Sequence, residues 1–533
     1  MVISEIRYND TNQFGKLFVD YTLQKNNLKK LISEYPKIEN FEKQIKVKSE
    51  SYDHSIRPII KTIIDNQYNG ISLNNIQKKN LNSILNQNTF TVTTGHQLNI
   101  FTGPLYFIYK IFSTINLTEI LKKKYPKYDF VPIYWMATED HDFAEINNLY
   151  CHGRVFNWNS NQRGCVGDFN TDSINNTIEE LEMEISNFKS YSNIISIIKN
   201  SYLNANNLAD ATRKFVNELF KEYGLLIIDP NNKDLKSNFS KIIKSELFEN
   251  LIYNNSKEYT SLIKELGYKV QVNPREINLF YIENGKRERI IKMKNNFITN
   301  DKVKSWTEKE ILKEIKLFPE RFSPNVLLRP LYQEFILPNL CYVGGPSEIC
   351  YWLQLKSVFE VSNTSFPILL NRNSALLISE KQSTFLKKNK LDFKDLLMKK
   401  NELEKKLVKN YSKIKFDFLP LEKALNIQFS KLRKIAEKTD KSFIGSLNAQ
   451  EKKQIKGLQN LKKRLLRAEK KHHCEKIYKI IKFQKSFFPS GIFQERIVNF
   501  IEFCQEDRSS FFKNLKQNLN PLNNKFTIFP RKR

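Results

Sequence analysis

Cysteine is scarce and irregularly spaced: Cys151, Cys165, Cys341, Cys350, Cys474 and Cys504 are the only six in 533 residues, with no CxxC pair. That excludes a disulfide framework and predicts reduced, buried thiols. Long apolar runs are missing too, none approaching the roughly 18 residues a membrane helix needs. The opening MVISEIRYNDTNQFGKLF lacks the charged-then-apolar layout of a signal peptide. A cytoplasmic protein with no membrane partner is the expectation. Acidic residues are outnumbered, 57 against 86 Lys and Arg, for a net charge of +29. Such a balance attracts phosphates, nucleic acid or anionic membranes. No RGG, RRM-like or zinc-finger pattern accompanies it, however, and the excess is mostly Lys scattered among Asn and Ile. Nucleic acid is therefore not expected as a partner.

What is present is globular material, 40% hydrophobic, 27% charged and 12% aromatic, long enough for several domains. Apolar residues at mixed three and four spacings (Leu17, Leu28 and Leu31, then Ile59, Ile63 and Ile64) predict an N-terminal helical segment, residues 1–88, packing on the core. Phe90–Thr94 then reads as a strand, Pro104 opens an apolar helix through Leu121, and Phe130–Trp135 is a second strand. Strand, helix and strand make a βαβ unit with parallel strands. Leu225–Asp229 after a helix, Leu340–Val343 before a helix running to about Val361, and Phe366–Leu370 add three more strands. The fold class is α/β, an open parallel-sheet core assembled from 89–146, 206–266 and 326–376. Two inserts interrupt it, 147–205 and 267–325, the second with a hairpin signal at Asn284-Gly285. Residues 377–487 turn rich in Lys, Glu and Leu at heptad-like spacing (Leu403, Leu407, Tyr411; Ile455, Leu458, Leu461, Leu465). They predict a coiled coil used for dimerisation, with an RNA-touching arm as the rival use. Residues 488–533 return to the core.

Ligands of open parallel sheets bind beyond the carboxyl ends of the strands, where helix starts offer free amides to anions. Two motifs end strands there. In the first, Thr94-Gly95-His96-Gln97 precedes Thr102-Gly103-Pro104, and His96 and Gln97 would donate to phosphate oxygens as charge builds; a strand end with a capping histidine is the plain alternative. In the second, Glu139-Asp140-His141-Asp142 crowds ionisable groups that are costly together unless they bind a cation, orient an amine or are solvated. Magnesium, zinc and general-base readings stay open for that cluster, although His141 alone makes no zinc site. Gly344-Gly345-Pro346 repeats the helix start, Arg329, Gln333 and Glu334 interrupt an apolar run, and Arg372-Asn373-Ser374 follows the last strand onto the same rim, placed for a phosphate contact.

TVTTGHQLNIFTGPLYFIYK, WMATEDHDFAEIN, LRPLYQEFILPNLCYVGGPSEICYW, LLNRNSALL and FQERIVNF, in this order, resemble the bacillithiol-synthesis cysteine ligases, the cysteine-adding BshC family. The resemblance implies a Rossmann-like core related to class I aminoacyl-tRNA synthetases and nucleotidylyltransferases, with a C-terminal coiled coil that pairs protomers. It implies an amide-forming ligase joining L-cysteine to the amine of glucosaminyl-malate, with ATP and Mg²⁺ activating the cysteine carboxylate and no resident metal. His96 and Gln97 would then stand in place of the synthetases' phosphate-contacting histidines, with Arg372, Asn373 and Ser374 near their mobile phosphate-binding loop. Asp140, His141 or Asp142 would position or deprotonate the amine. The family pattern admits Gln as well as His at the place of His96, which favours hydrogen bonding there over proton transfer. Another nucleotidyl-transferring ligase on the same core and a coiled-coil RNA-binding protein are the alternatives.

Overall fold

A computed structural model of the chain describes residues 4–185, 191–414, 416–439, 441–504 and 508–530. Two compact units result, Met1–Phe385 with Ile492–Arg533, and Leu386–Gly491.

The first unit is built on five strands: β1 (Thr89–His96), β2 (Asp129–Met136), β3 (Leu226–Ile228), β4 (Asn339–Gly344) and β5 (Ile368–Asn371). Their order is β5-β4-β1-β2-β3, and every neighbouring pair is parallel. All eight residues of β1 are buried, which is why the strand reads as a continuous run of Thr, Phe and Val rather than an alternation. Three of its four threonines are satisfied sideways: Thr91 and Thr93 donate to Asn339 Oδ1 at 3.2 and 2.9 Å, and Thr94 to the Val343 carbonyl at 2.7 Å. Phe90, Val92, Phe130, Leu340, Val343, Ile368 and Leu370 pack with Phe41, Ile45, Leu117 and Leu121 into one core. At roughly 1.5–3 kcal/mol for each large apolar side chain fully buried, this cluster outweighs any single polar contact around it.

Helix α1 (Tyr106–Lys124) crosses from β1 to β2. Every residue from Phe107 to Thr118 is buried, because the C-terminal helix Arg508–Asn518 covers the side turned away from the sheet; Phe112 meets Phe512 at 5.4 Å and Asn116 donates to the Leu519 carbonyl at 2.6 Å. The helix begins two residues later than Pro104 predicts. Phe101, Thr102 and Gly103 take φ of 49°, 73° and 64°, a left-handed run held by Asn499, whose side-chain amide donates to the Phe101 and Gly103 carbonyls at 2.9 and 2.6 Å.

Three further differences have simple causes. Ser4–Arg7 is a strand, paired antiparallel with Lys525–Pro530, which in turn pairs parallel with Ser374–Ile378; four residues are too few to show a period. The helix after Gly344-Gly345 is broken into Pro346–Trp352 and Lys356–Val361, and the buried Gln354 at the break donates to Thr260 Oγ1 and the Val272 carbonyl. Cys474 is exposed, against the expectation of six buried thiols, while the other five are buried.

The 147–205 region carries the hairpin Asn148–Cys151 and Arg154–Asn157. The 267–325 region is a five-stranded antiparallel sheet in which Leu279–Glu283 and Lys286–Met293 meet at Asn284-Gly285, with φ of 50° and 69°, a two-residue turn of the kind Asn-Gly favours. The second unit is helical, with helices Lys400–Tyr411, Leu419–Ala436, Lys441–His472 and Cys474–Lys485. Among the described residues no helix is long and apolar enough to cross a membrane.

Candidate active site

A cavity of about 820 Å³ opens at the carboxyl ends of β1 and β2. Because these strands run parallel with His96 opposite Met136, the residues after each strand arrive side by side. Gln97 joins them: its Nε2 donates to Asp140 Oδ2 at 2.7 Å and Glu145 Oε2 at 2.8 Å. Of the residues singled out from sequence, Gly95, His96, Gln97, Glu139, Asp140 and Arg329 line the cavity.

His96 is 9% exposed and wedged between rings, 5.3 Å from Tyr106 and 5.1 Å from Phe107. Burial first, and then the charges of Lys110 and Arg372, push its pKa down to about 3. The imidazole is thus neutral at ordinary pH, and its buried Nε2 has no partner, an orphaned polar atom at the cavity edge. Gly95 is bare for a steric reason: a Cβ there would stand 3.2 Å from Arg329 Nη1 and 3.3 Å from the Tyr342 hydroxyl.

Beneath this rim lies a charged network that motif reading missed. Lys110 Nζ donates to the Gly95 carbonyl at 2.8 Å and pairs with Glu348 Oε1 at 2.6 Å. Tyr342 donates to the other oxygen of Glu348. Arg329 bonds to the Tyr342 and Tyr351 hydroxyls, both at 3.3 Å, and to Gln333 Oε1 at 3.1 Å. Burial alone would raise the Glu348 carboxyl, but the Lys110 ammonium more than reverses this and holds it at about 2. Lys110 was legible in principle: it is the sole charge between Tyr106 and Thr118 in an otherwise apolar helix, and a lone buried charge calls for a partner. Glu348 offered no comparable signal.

The remaining sequence candidates do not reach the cavity. Thr94 is spent on the Val343 carbonyl. Thr102 and Gly103 sit in the turn bound by Asn499, so the start of α1 is closed by protein rather than open to an anion. The Gly345 N–H donates to Glu348 Oε1 at 3.1 Å, leaving neither Gly344 nor Gly345 in the cavity wall. Gln333 is fully buried and donates to Glu334, which faces Lys48 at 3.7 Å; this trio braces the underside of the sheet. Arg372 is the firmest correction. It lies 2% exposed and pairs with Glu495 at 2.9 Å, while Asn373 exchanges bonds with Ser113 and Ser374 begins a strand. The FQERIVNF block thus anchors the NRNS block, and Arg372 is committed to Glu495 rather than open to a phosphate.

His141 and Asp142 are exposed, outside the wall. His141 Nδ1 receives a bond from Arg287 Nη1 at 2.9 Å; since arginine only donates, that nitrogen is the acceptor. Glu139 pairs with Lys236, which is buried and also donates to the Phe322 carbonyl at 2.9 Å. Among the described residues no group of three or more His, Cys, Asp or Glu side chains is arranged to hold a metal ion. The 267–325 region closes the far side, with Arg287 and Arg289 on its sheet and Arg275 in the loop before it. The cavity therefore presents clustered cations to an anionic ligand, with the carboxylates of Asp140 and Glu139 at one edge.

A parallel-sheet core with a charged cavity at its strand ends defines a Rossmann-like α/β protein. Two family models match the chain, "Bacillithiol biosynthesis BshC, N-terminal Rossmann-like domain" over residues 1–373 and "Bacillithiol biosynthesis BshC, C-terminal coiled-coil domain" over 375–530. Proteins named "Putative cysteine ligase BshC" are similar over nearly their full length: 48% identical in Flavobacterium psychrophilum and 45% in Christiangramia forsetii, each alignment covering 98% of both chains, and 36% in Cytophaga hutchinsonii, covering 97% of both. The chain belongs to the BshC family. A solved Campylobacter jejuni structure titled "putative arginyl t-RNA synthetase" covers 82% of this chain and 90% of its own at 11% identity, but its TM-score of 0.19 carries no argument.

Proposed function

We propose that this chain is a cysteine ligase that forms an amide between the carboxylate of L-cysteine and the amine of glucosaminyl-malate, with ATP as the activating substrate. The observation that carries the reading is the guanidinium of Arg329, bonded to tyrosine hydroxyls and an amide rather than to a carboxylate, beside the orphaned Nε2 of His96, both at the strand ends where nucleotides sit in such folds. In the proposed sequence a cysteine carboxylate oxygen attacks the α-phosphorus of ATP, giving a cysteinyl adenylate and pyrophosphate. The acceptor amine then attacks the adenylate carbonyl, loses a proton, and AMP departs with the electron pair of the broken bond. A carboxylate needs such activation because its own oxygen is too poor a leaving group.

In this scheme Arg329 balances phosphate charge, Lys110 holds the Gly95 carbonyl and Glu348 in place beneath it, and neutral His96 supplies a hydrogen bond that persists across pH. Asp140, held by Gln97, accepts the amine proton. Mg²⁺ enters as part of the nucleotide substrate, since it keeps most of its shell as water and phosphate oxygens. The helical unit, whose Leu421, Leu432 and Ile435 are exposed, pairs two protomers. Incubating the purified full chain with cysteine, glucosaminyl-malate, Mg²⁺ and ATP should give the cysteinyl amide and AMP in equal amounts by mass spectrometry. Product formed without nucleotide, or with ADP in place of AMP, overturns the adenylate route, and no product at all overturns the ligase reading.

A further inference from the structure

Three arginines on the cavity wall opposite the strand ends have no role in the adenylate chemistry. Arg287 and Arg289 are two residues apart on the strand Lys286–Met293, so the strand period turns both to one face, and Arg275 joins them from the loop before the preceding strand. Arg287 is fixed: its guanidinium lies 3.9 Å from the Phe280 ring centroid, and Nε and Nη2 donate to Ser323 Oγ at 3.0 Å and the Pro324 carbonyl at 3.1 Å. Arg275 and Arg289 have no acidic side chain within ion-pair distance among the described residues, and burial and then the charge of Arg275 hold Arg289 below its usual range, with Glu288 offsetting them only in part. Two neighbouring guanidiniums whose mutual repulsion a single nearby carboxylate does not cancel are stabilised by an anion that bridges them.

The wall is also built in advance of any ligand. The loop carrying Arg275 is pinned at one end by Gln354, which donates to the Val272 carbonyl at 2.9 Å, and at the other by the buried Glu246, which accepts from the Asn278 backbone and side-chain amides at 2.7 and 2.9 Å. The backbone that presents Arg275 and the side chain of Arg287 are thus set before binding, which lowers the ordering cost. The strand-end side already supplies Arg329 and His96 for a first anion, so a second cationic centre across the cavity serves a second substrate.

We infer that Arg275, Arg287 and Arg289 form a subsite for the dicarboxylate substituent of the acceptor, fixing which amine-bearing sugar is used. This rests on the proposed ligase reading, and two readouts separate the fates of the two. The first is steady-state kinetics of the full chain: Arg289→Ala and Arg275→Ala should each raise the acceptor KM at least tenfold, with kcat within a few-fold and the KM values of ATP and cysteine unchanged, and Arg289→Lys should fall between. Plain glucosamine should be a poor acceptor for the wild type, and the Ala variants should discriminate less against it. The second is calorimetric titration with L-malate, which needs no turnover: the wild type should bind it and Arg275→Ala/Arg289→Ala should not. An unchanged acceptor KM in the variants overturns the subsite, as does a raised KM for ATP or lost binding of pyrophosphate instead of malate. Failure of the wild type to bind malate overturns it whatever the turnover. Arg289-dependent malate binding without cysteinyl product from any acceptor leaves the subsite standing and removes the ligase reading.

Discussion

His96 shows how burial decides the chemistry of a side chain. Its pKa of about 3, against 6.5 for the free group, means that between these values the unfolded chain binds a proton the folded chain refuses. Stability therefore rises with pH through this window, and the wild type loses about 1.4 kcal/mol for each unit that pH falls within it. Gln at this position cannot titrate, so His96→Gln should be less acid-sensitive than the wild type between pH 6 and 4 in urea titrations, and its kcat/KM should keep the same pH profile. A new or lost limb near neutrality would show that His96 carries a proton in the reaction. The Lys110–Glu348 pair acts in the same direction at lower pH, because there too the unfolded chain binds the extra proton. With its pKa depressed to about 2 from 4.5, Glu348 contributes stability that is fully present above pH 4.5 and is lost as pH falls toward 2. Glu348→Gln strands the Lys110 ammonium in the interior and should cost about 3–5 kcal/mol in chemical denaturation. Lys110→Met/Glu348→Leu should recover most of that stability and none of the ligase activity; recovery of activity would mean the pair only fills space. At this scale the sequence carries a signal where a polar group breaks an apolar pattern, as at the overlooked Lys110, and is silent where partners such as Glu348 or Glu495 lie more than a hundred residues away. That is also why Arg372, correctly placed at the end of a strand, belongs to a structural ion pair: its exposure depends on a segment 123 positions further on.

Elements were more legible than partners, because period and punctuation are local. Thr89–His96 and Asp129–Met136 announce themselves by β-branched and aromatic runs ending in polar clusters, and Asn284-Gly285 announces its turn. The short strand Ser4–Arg7 does not, since pairing with Lys525–Pro530 rather than its own pattern makes it a strand. The two inserts meet through a contact that no local pattern encodes. Gly164 has φ of 103°, and a Cβ placed on it would fall 2.1 Å from the Gly285 carbonyl oxygen, whereas a Cβ on Gly153, at φ of 84° in the other hairpin turn, meets nothing within 4 Å. Both positions penalise a side chain through φ, by about 1 kcal/mol, but only Gly164 adds a backbone collision that must push the hairpin away. Gly164→Ala should therefore lower the melting temperature by several degrees more than Gly153→Ala and raise the acceptor KM, because Arg287 and Arg289 ride on that hairpin. Equal effects of the two substitutions would show that the inserts do not brace each other.

Across the whole chain, the two units bury their apolar residues to different degrees. In the first unit the sheet strands are closed on both faces. In the helical unit Phe429, Ala436 and Leu447 make a narrow seam between the helices Leu419–Ala436 and Lys441–His472, while Leu421, Leu432 and Ile435 remain 53%, 42% and 59% exposed. Spaced by eleven and three residues, these three fall on one side of their helix beside the seam. On the other helix Leu461 is 57% exposed, and its heptad neighbours Ile455, Leu458 and Leu465 are only half-buried. A protein carrying a net charge of +29 is kept apart from its copies by repulsion, so an association through this stripe has to be apolar and should tighten as salt screens the charge. Sedimentation velocity should accordingly show a dimer for the wild type that strengthens between low and moderate salt. Leu432→Glu/Ile435→Glu should be monomeric with unchanged helical circular dichroism, since both side chains already face solvent within the protomer. If the double variant stays dimeric, the stripe is not the contact. If the wild type is itself monomeric at micromolar concentration in moderate salt, the helical unit does not pair protomers, and its exposed leucines serve some other surface.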